Sequence, residues 1–217
     1  MDDSMNLGLP GVTMTCTEQA LLLHSVQPLD VLSCAVVGGG YTTARYILNC
    51  HVDINYDCRD PARDLIERAQ ALGIQESFVG LLTAVMLDRV RIASVSEQGL
   101  TVTAVVTVGV GNVTAAGQSQ PAVWCPGTIN TILLIDANLC ASAKVKAVVT
   151  ATEAKTRALH EREIHTQEGL MATGTSTDSI VIACTGRGPA WPYAGPATLP
   201  GWLIGRAVRQ GILEARL

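Results

Sequence analysis

The chain has 217 residues, of which 48% are hydrophobic and 16% charged, with a formal net charge of −4. That composition supports one large buried core, and the 15 Lys and Arg form no basic stripe of the kind phosphate neutralisation requires, so nucleic acid is not an expected partner. No apolar run reaches the roughly 18 uncharged residues of a membrane helix, and Asp2 and Asp3 stand where a secretory signal carries basic residues, so neither a membrane nor export is expected.

The early part of the chain predicts strands over 21–24 and 31–37, separated by a turn around Pro28, and the second runs into Gly38, Gly39 and Gly40. Residues 61–72 carry Leu65, Ile66, Ala69 and Leu72 at helical spacing, with Pro61 suited to a first helical turn. Strands follow over 78–86, 89–96 and 100–110, the last two joined by a Glu97-Gln98-Gly99 turn that predicts an antiparallel hairpin. Residues 115–127 are loop-like, with Gly117, Pro121 and Pro126 as punctuation. The continuous apolar run 129–136 has the length and branching of a buried strand. The longest helix spans 142–163, with Ala143, Ala147, Ala151, Ala154 and Ala158 as a small-residue stripe. A buried strand over 179–184, a Gly/Pro-rich stretch over 187–200 and a helix over 203–213 close the chain. The expectation is a single α+β domain over 1–217, a mixed, largely antiparallel sheet with packed helices. Strict βαβ winding is disfavoured because strands cluster early.

Seven cysteines (Cys16, Cys34, Cys50, Cys58, Cys125, Cys140 and Cys184) occur singly and in odd number. That argues against a disulfide framework or a structural zinc site and predicts small buried hydrophobes in a reducing cytoplasm. His160 and His165 are five apart and lack the i,i+4 spacing of a metal pair, so no metal is expected. Gly38–Gly40 matches no nucleotide-binding pattern. His24 and His51 read as packed or surface histidines.

Chemistry concentrates where polar groups interrupt apolar elements. On the long helix, Glu153 and Thr156 share a face while Lys155 projects elsewhere. Glu153 is either half of an exposed i,i+4 pair with Arg157 or a general base or acid. The run Thr173-Gly174-Thr175-Ser176-Thr177-Asp178 is either a self-satisfied turn or a set of hydroxyls and N–H groups for an oxyanion, with Asp178 as base or orienting group. Asn130 enters a buried strand, so its amide requires partners. Asn112 follows another apolar strand in the same way.

At these residues the chain resembles the adenosylcobinamide amidohydrolase family. The matching pieces are VLSCAVVGGG at 31–40, ILN at 47–49, LLTAV at 81–85 and VTVGVGNVTAAG at 106–117. They continue as PGTINTILLIDANL at 126–139, TATEAKTRAL at 150–159, ATGTSTDSIVIAC at 172–184 and YAGPATLPGWLIGRAV at 193–208. The resemblance implies hydrolysis of adenosylcobinamide to adenosylcobyric acid and aminopropanol in corrinoid salvage, with cobalt carried by the substrate and no separate cofactor. It places the family motif on Asn112, Gly127, Thr128, Asn130, Glu153, Lys155, Thr156, Gly174, Thr175, Thr177 and Asp178. Gln118 departs from it, since the family has an acid after the glycine.

Amide hydrolysis needs an activated nucleophile, an oxyanion stabiliser and a proton for the leaving amine. Glu153 or Asp178 is the expected base, activating either water or a threonine hydroxyl, Thr175 and Thr177 are the candidate nucleophile positions, and Lys155 either protonates the leaving amine or holds a phosphate or carboxamide. Asn112, Thr128, Asn130, Thr156 and Gly174 are the expected substrate contacts. Gly38, Gly39, Gly40, Gly195 and the loop bearing Trp191 and Tyr193 are expected to rim a wide corrin pocket. The two acids, Glu153 and Asp178, are expected beside one cleft. Two other readings stand beside this one: an amidohydrolase for another substrate, and a corrinoid-binding protein without catalysis. Small-residue faces permit a homo-oligomer without requiring one.

Overall fold

The computed structural model describes residues 5–121 and 127–217; Asp2, Asp3, Cys125 and Pro126 lie outside the described residues. Among those residues, eight strands have five residues or more: β1 (Val12–Cys16), β2 (Ala20–Ser33), β3 (Gly40–His51), β4 (Phe78–Thr83), β5 (Arg91–Glu97), β6 (Leu100–Val108), β7 (Ile129–Ile135) and β8 (Ser179–Cys184). The helices are α1 (Pro61–Ala71), α2 (Ala141–Glu161) and α3 (Leu199–Leu213). The strands form one mixed sheet in the order β1-β2-β8-β7-β6-β5, and β3 runs along the other edge of β2 and carries β4. This is the expected α+β class.

Among the eight strands of this sheet, only the β3/β4 and β7/β8 pairs are parallel, and each is joined by a helical crossover, α1 in the first and α2 in the second. Two βαβ units are thus set into a sheet whose other pairings are antiparallel. The β5–β6 hairpin forms as expected: Glu97 faces Leu100, and Gln98 and Gly99 take φ of 50° and 79°, the two positive values a tight two-residue hairpin loop demands.

Two early elements differ from expectation. Residues 21–24 and 31–37 belong mainly to one strand, β2, whose register against β3 shifts between His24 and Leu29. Pro28 lies in that irregular, exposed stretch, where a missing N–H costs no ladder bond. Strand β3 was not anticipated. Its first half is largely exposed while Leu48, Asn49 and Cys50 are buried in succession, so neither alternation nor a long apolar run marks it.

Side-chain alternation places the core in layers. Ile132 and Leu134 of β7, Val181 of β8, Ile47 of β3 and Leu81 of β4 meet in one inner cluster, so the sheet folds over and its two halves face each other. On the outer side of one half, Ile129, Leu133 and Ile135 pack beneath α2 and α3. On the outer side of the other, Leu48 and Cys50 pack with Leu65 and Ala69 of α1. Each such buried aliphatic side chain contributes roughly 1.5–3 kcal/mol.

Helix α2 lies close to the sheet because Ala143, Ala147, Ala151 and Ala158 are all at most 1% exposed. Its first turn is anchored by Lys144, whose fully buried ammonium donates to Asp30 at 2.5 Å, Leu139 O at 2.8 Å and the Tyr41 hydroxyl at 3.0 Å, using all three N–H bonds. The helix begins at Ala141, with Cys140 at the cap position making no side-chain capping bond, one residue before the expected start. Helix α3 begins four residues before its expected start, because the Thr198 hydroxyl caps Gly201 N and Pro200 fits the first turn. Among the described residues, no helix is long and apolar enough to cross a membrane.

Candidate active site

The segment before β8 is organised by one carboxylate. Gly174 and Thr175 pair briefly with Thr114 and Val113, and the chain then turns so that Asp178 points back at its own turn. Asp178 accepts from Thr175 N at 3.1 Å, from Ile129 N at 3.0 Å and from the Thr175 hydroxyl, and it forms an ion pair with Lys155 of α2. Lys155 is 7% exposed. Both carboxylate oxygens are therefore doubly used, which is how a charge survives in such surroundings. Gly174 is required here: a Cβ would stand 2.5 Å from Asp178 Oδ2 and 2.6 Å from Lys155 Nζ. Thr156, one residue along α2, donates to Thr173 O at 3.0 Å.

The same turn is tied to the start of β7. The Thr177 hydroxyl donates to Gly127 O at 2.8 Å, and the Thr128 hydroxyl donates to Thr177 O at 2.8 Å. Gly127 has φ +144°, and a Cβ on it would lie 2.7 Å from Asn112 Oδ1, so only glycine allows this approach. Asn112 itself donates to the Ser176 hydroxyl at 3.0 Å.

Beside these paired segments lies a cavity of about 450 Å³, lined by Thr128, Thr177 and Ser179 on one side and by Asp53, Tyr56 and Asp57 of the β3–α1 loop on the other. Val36, Val52, Pro61, Leu82 and Ala84 form the apolar part of its lining, beside Thr83. The loop is braced by Asp64 of α1, which accepts from the Tyr56 hydroxyl at 2.8 Å and pairs with Arg68 at 3.1 Å. Burial, then hydrogen bonds with Cys58 and Asp64, push the Tyr56 phenol above its ordinary range, so it stays a neutral donor.

Behind Thr128 the inner core turns polar. Asn130 donates to Asn49 Oδ1 at 3.0 Å and to Leu82 O at 2.8 Å, and Asn49 donates to the Thr107 hydroxyl at 3.4 Å. Both asparagines are 2% exposed. Asn130 thus has the partners its buried strand position demanded.

Other expected site residues lie elsewhere. Glu153 is exposed and lines a separate groove between α2 and α3 with Thr150, Gly201 and Trp202. Two positions apart on a helix is about 200° of rotation, so Lys155 faces the sheet while Glu153 faces α3. The expected common cleft for Glu153 and Asp178 does not form. Nor does a Glu153–Arg157 pair: Arg157 bonds Glu161 at 2.6 Å. Tyr193 is 71% exposed, on the loop that follows a short pairing of Trp191 with Leu139, and neither aromatic lines the cavity.

The three glycines also differ from an open rim. A Cβ on Gly38 would meet Phe78 O at 2.5 Å, and one on Gly39 would meet Ala35 O at 2.7 Å. They let the β2–β3 connection lie against β4 and bring Val36 to the cavity wall. Gly40 has φ +85° with open space around it.

Sequence reasoning missed Asn49, Asp53, Tyr56, Asp57, Thr83 and Ser179. For Asn49 a signal was present, since an amide between Ile47, Leu48 and Cys50 needs partners as Asn130 does. For the loop acids there was none, because exposed Asp in a connection is ordinary.

Comparison with known proteins bears on the family resemblance. The sequence profile of the family described as Adenosylcobinamide amidohydrolase (CbiZ) matches residues 8–217. The Adenosylcobinamide amidohydrolase of Methanosarcina mazei is 34% identical over 185 residues, 81% of this chain and 84% of that protein. An uncharacterised protein of Methanocaldococcus jannaschii, MJ1613, is 43% identical over 91 residues, 41% of this chain and 35% of that protein. The crystal structure of the PH0078 protein from Pyrococcus horikoshii OT3 overlays with a TM-score of 0.47 at 13% identity, covering 93% of this chain and 77% of that one, too loose a likeness to speak to function. With the profile spanning nearly its whole length, the chain belongs to the adenosylcobinamide amidohydrolase family, whose members are hydrolases of a carbon–nitrogen amide bond.

Proposed function

We propose that the chain hydrolyses adenosylcobinamide to adenosylcobyric acid and aminopropanol, with the scissile amide held in the cavity beside Thr128 and Thr177. The observation that supports this reading is convergence. Residues from separate segments that carry the family resemblance (Thr128, Asn130, Lys155, Thr175, Thr177 and Asp178) meet at or directly behind one cavity. The cavity lies in the ordinary size range for small-molecule sites. It takes the amide arm, while the broader corrin ring with its cobalt rests at the mouth.

In the reaction, water adds to the amide carbonyl, the C–N bond breaks, and the amine leaves with a proton. The Thr128 and Thr177 hydroxyls, whose protons go to Thr177 O and Gly127 O, turn lone pairs to the cavity that accept from the N–H and O–H groups of the arm. Asp178, held by Lys155, fixes the Thr175–Thr177 turn that presents them. Asp53 and Asp57 are the carboxylates on the lining, placed to take the proton of the attacking water. Glu153 enters this reading only as part of the separate groove, and the proposed place of action is the cytoplasm.

Incubating the protein with adenosylcobinamide and assaying free aminopropanol tests the reading. Release is expected, and Thr177→Val, which removes the hydroxyl that ties the turn to Gly127 O and lines the cavity, is expected to lower kcat by about tenfold through lost positioning. Retention of corrinoid without release would instead mark a binding protein. Turnover of other amides with adenosylcobinamide left intact would mark a different substrate.

A further inference from the structure

Resting on that reading of the cavity, we infer that Asn49 is a positioning residue for the site, acting through Asn130 on the Thr128 hydroxyl. Asn49 lies on β3 and Asn130 on β7, strands from opposite halves of the folded sheet that share no ladder. Their side-chain bond at 3.0 Å spans the inner core. Apolar Ile47, Leu81, Val105 and Ile132 belong to that same core, so the two amides are polar groups in an apolar layer.

The orientation of Asn130 follows from its partners. Leu82 O is a backbone carbonyl and only accepts, so the atom 2.8 Å from it is Nδ2. The second proton of that nitrogen goes to Asn49 Oδ1. With both protons engaged by acceptors on two strands, the amide plane is fixed and Oδ1 is the face turned to Thr128, 3.3 Å from its hydroxyl. The Thr128 hydroxyl has one proton, drawn toward Thr177 O and Asn130 Oδ1 together, and its lone pairs are left for the cavity it lines. Removing the Asn49 acceptor leaves one Nδ2 proton buried without a partner. The amide then rotates about its Cβ–Cγ bond to find one, and the Thr128 hydroxyl loses one of its two acceptors, leaving Thr177 O alone to direct it. A buried network specifies geometry only while every member is satisfied.

Asn49→Leu removes the acceptor at similar volume, and Asn49→Asp keeps it. The expected result with adenosylcobinamide is a fall in kcat of about tenfold to hundredfold for Asn49→Leu, KM within about twofold, and kcat within about threefold of the parent for Asn49→Asp. The decisive measurement repeats Asn49→Leu in a Thr128→Val background. There its effect should shrink below about twofold, because the hydroxyl it directs is gone. An unchanged tenfold loss in that background, or a tenfold loss in a well-folded Asn49→Asp, overturns the assignment. If Asn49→Leu does not fold, the Asn49→Asp comparison carries the test alone. If the parent protein releases no aminopropanol at all, the functional reading falls and the positioning claim is judged separately by ¹⁵N exchange spectra. The Asn130 side-chain protons, assigned through Asn130→Asp, should exchange slowly in the parent and quickly in Asn49→Leu. Slow exchange in both would overturn it.

Discussion

Asp178 shows how much structure one residue can hold when charge is buried with its partners in place. Four donors meet its two oxygens: two backbone N–H groups, one hydroxyl and the Lys155 ammonium. Asp178→Asn keeps the size but removes the charge and strands a lysine that is 7% exposed. Breaking a buried pair from one side costs about 3–5 kcal/mol. The expected outcome is a urea midpoint lowered to match, together with loss of measurable aminopropanol release. A variant as stable as the parent would show that water reaches Lys155. The sequence marked Asp178 and Lys155 as polar intrusions into apolar elements, and their convergence agrees with that logic. Glu153 carried the same signal and points away, because the helical phase that buries Lys155 turns its neighbour but one to α3.

At the scale of elements, the cavity is a product of how α1 and its preceding loop are fastened. Burial raises the Asp64 carboxyl, but hydrogen bonds from Arg68 and Tyr56 outweigh it and hold the group below its usual range. A carboxyl lowered in the folded state contributes stability that is present above the unfolded value of about 3.9 and is lost as pH falls through the folded one. Comparing the parent with Asp64→Asn by urea denaturation should therefore give a gap at pH 7 that narrows progressively as pH falls below about 4. The pair is partly exposed, so the gap at pH 7 should be about 1 kcal/mol or less. A gap undiminished at pH 3 would contradict the ion-pair account. Helix α1 itself was legible, from Pro61 onward and from its apolar spacing. Strand β3 was not, because one half is exposed and the other is buried on both faces, and neither half keeps the alternation a reader looks for.

Over the whole molecule, burial decides which cysteines are chemically available. Burial pushes the Cys50 thiol up to about 11 and the Cys184 thiol up to about 12, so neither has appreciable thiolate at neutral pH. Cys34 and Cys58 are exposed. Iodoacetamide at pH 7.5, followed by peptide mass spectrometry, should label Cys34 and Cys58 well before Cys50 and Cys184. Early labelling of Cys184 would mean that the layer beneath α2 opens. The expectation that single, scattered cysteines act as small buried hydrophobes thus holds for Cys50 and Cys184 and not for Cys34 or Cys58.

Sequence alone determined the elements whose information is local. The β5–β6 hairpin follows from two turn residues, β7 and β8 from unbroken branched runs, and α2 from its alanine spacing, since backbone preference and burial period are written into neighbouring residues. Tertiary structure alone decided what depends on chain segments far apart. It folded one half of the sheet over the other, set Asn49 against Asn130 across 81 positions of sequence, brought the β3–α1 loop against Thr128 and Thr177, and turned Glu153 out of that company. Those outcomes come from packing two apolar faces together and satisfying the polar groups trapped between them, a condition no single stretch of the chain contains.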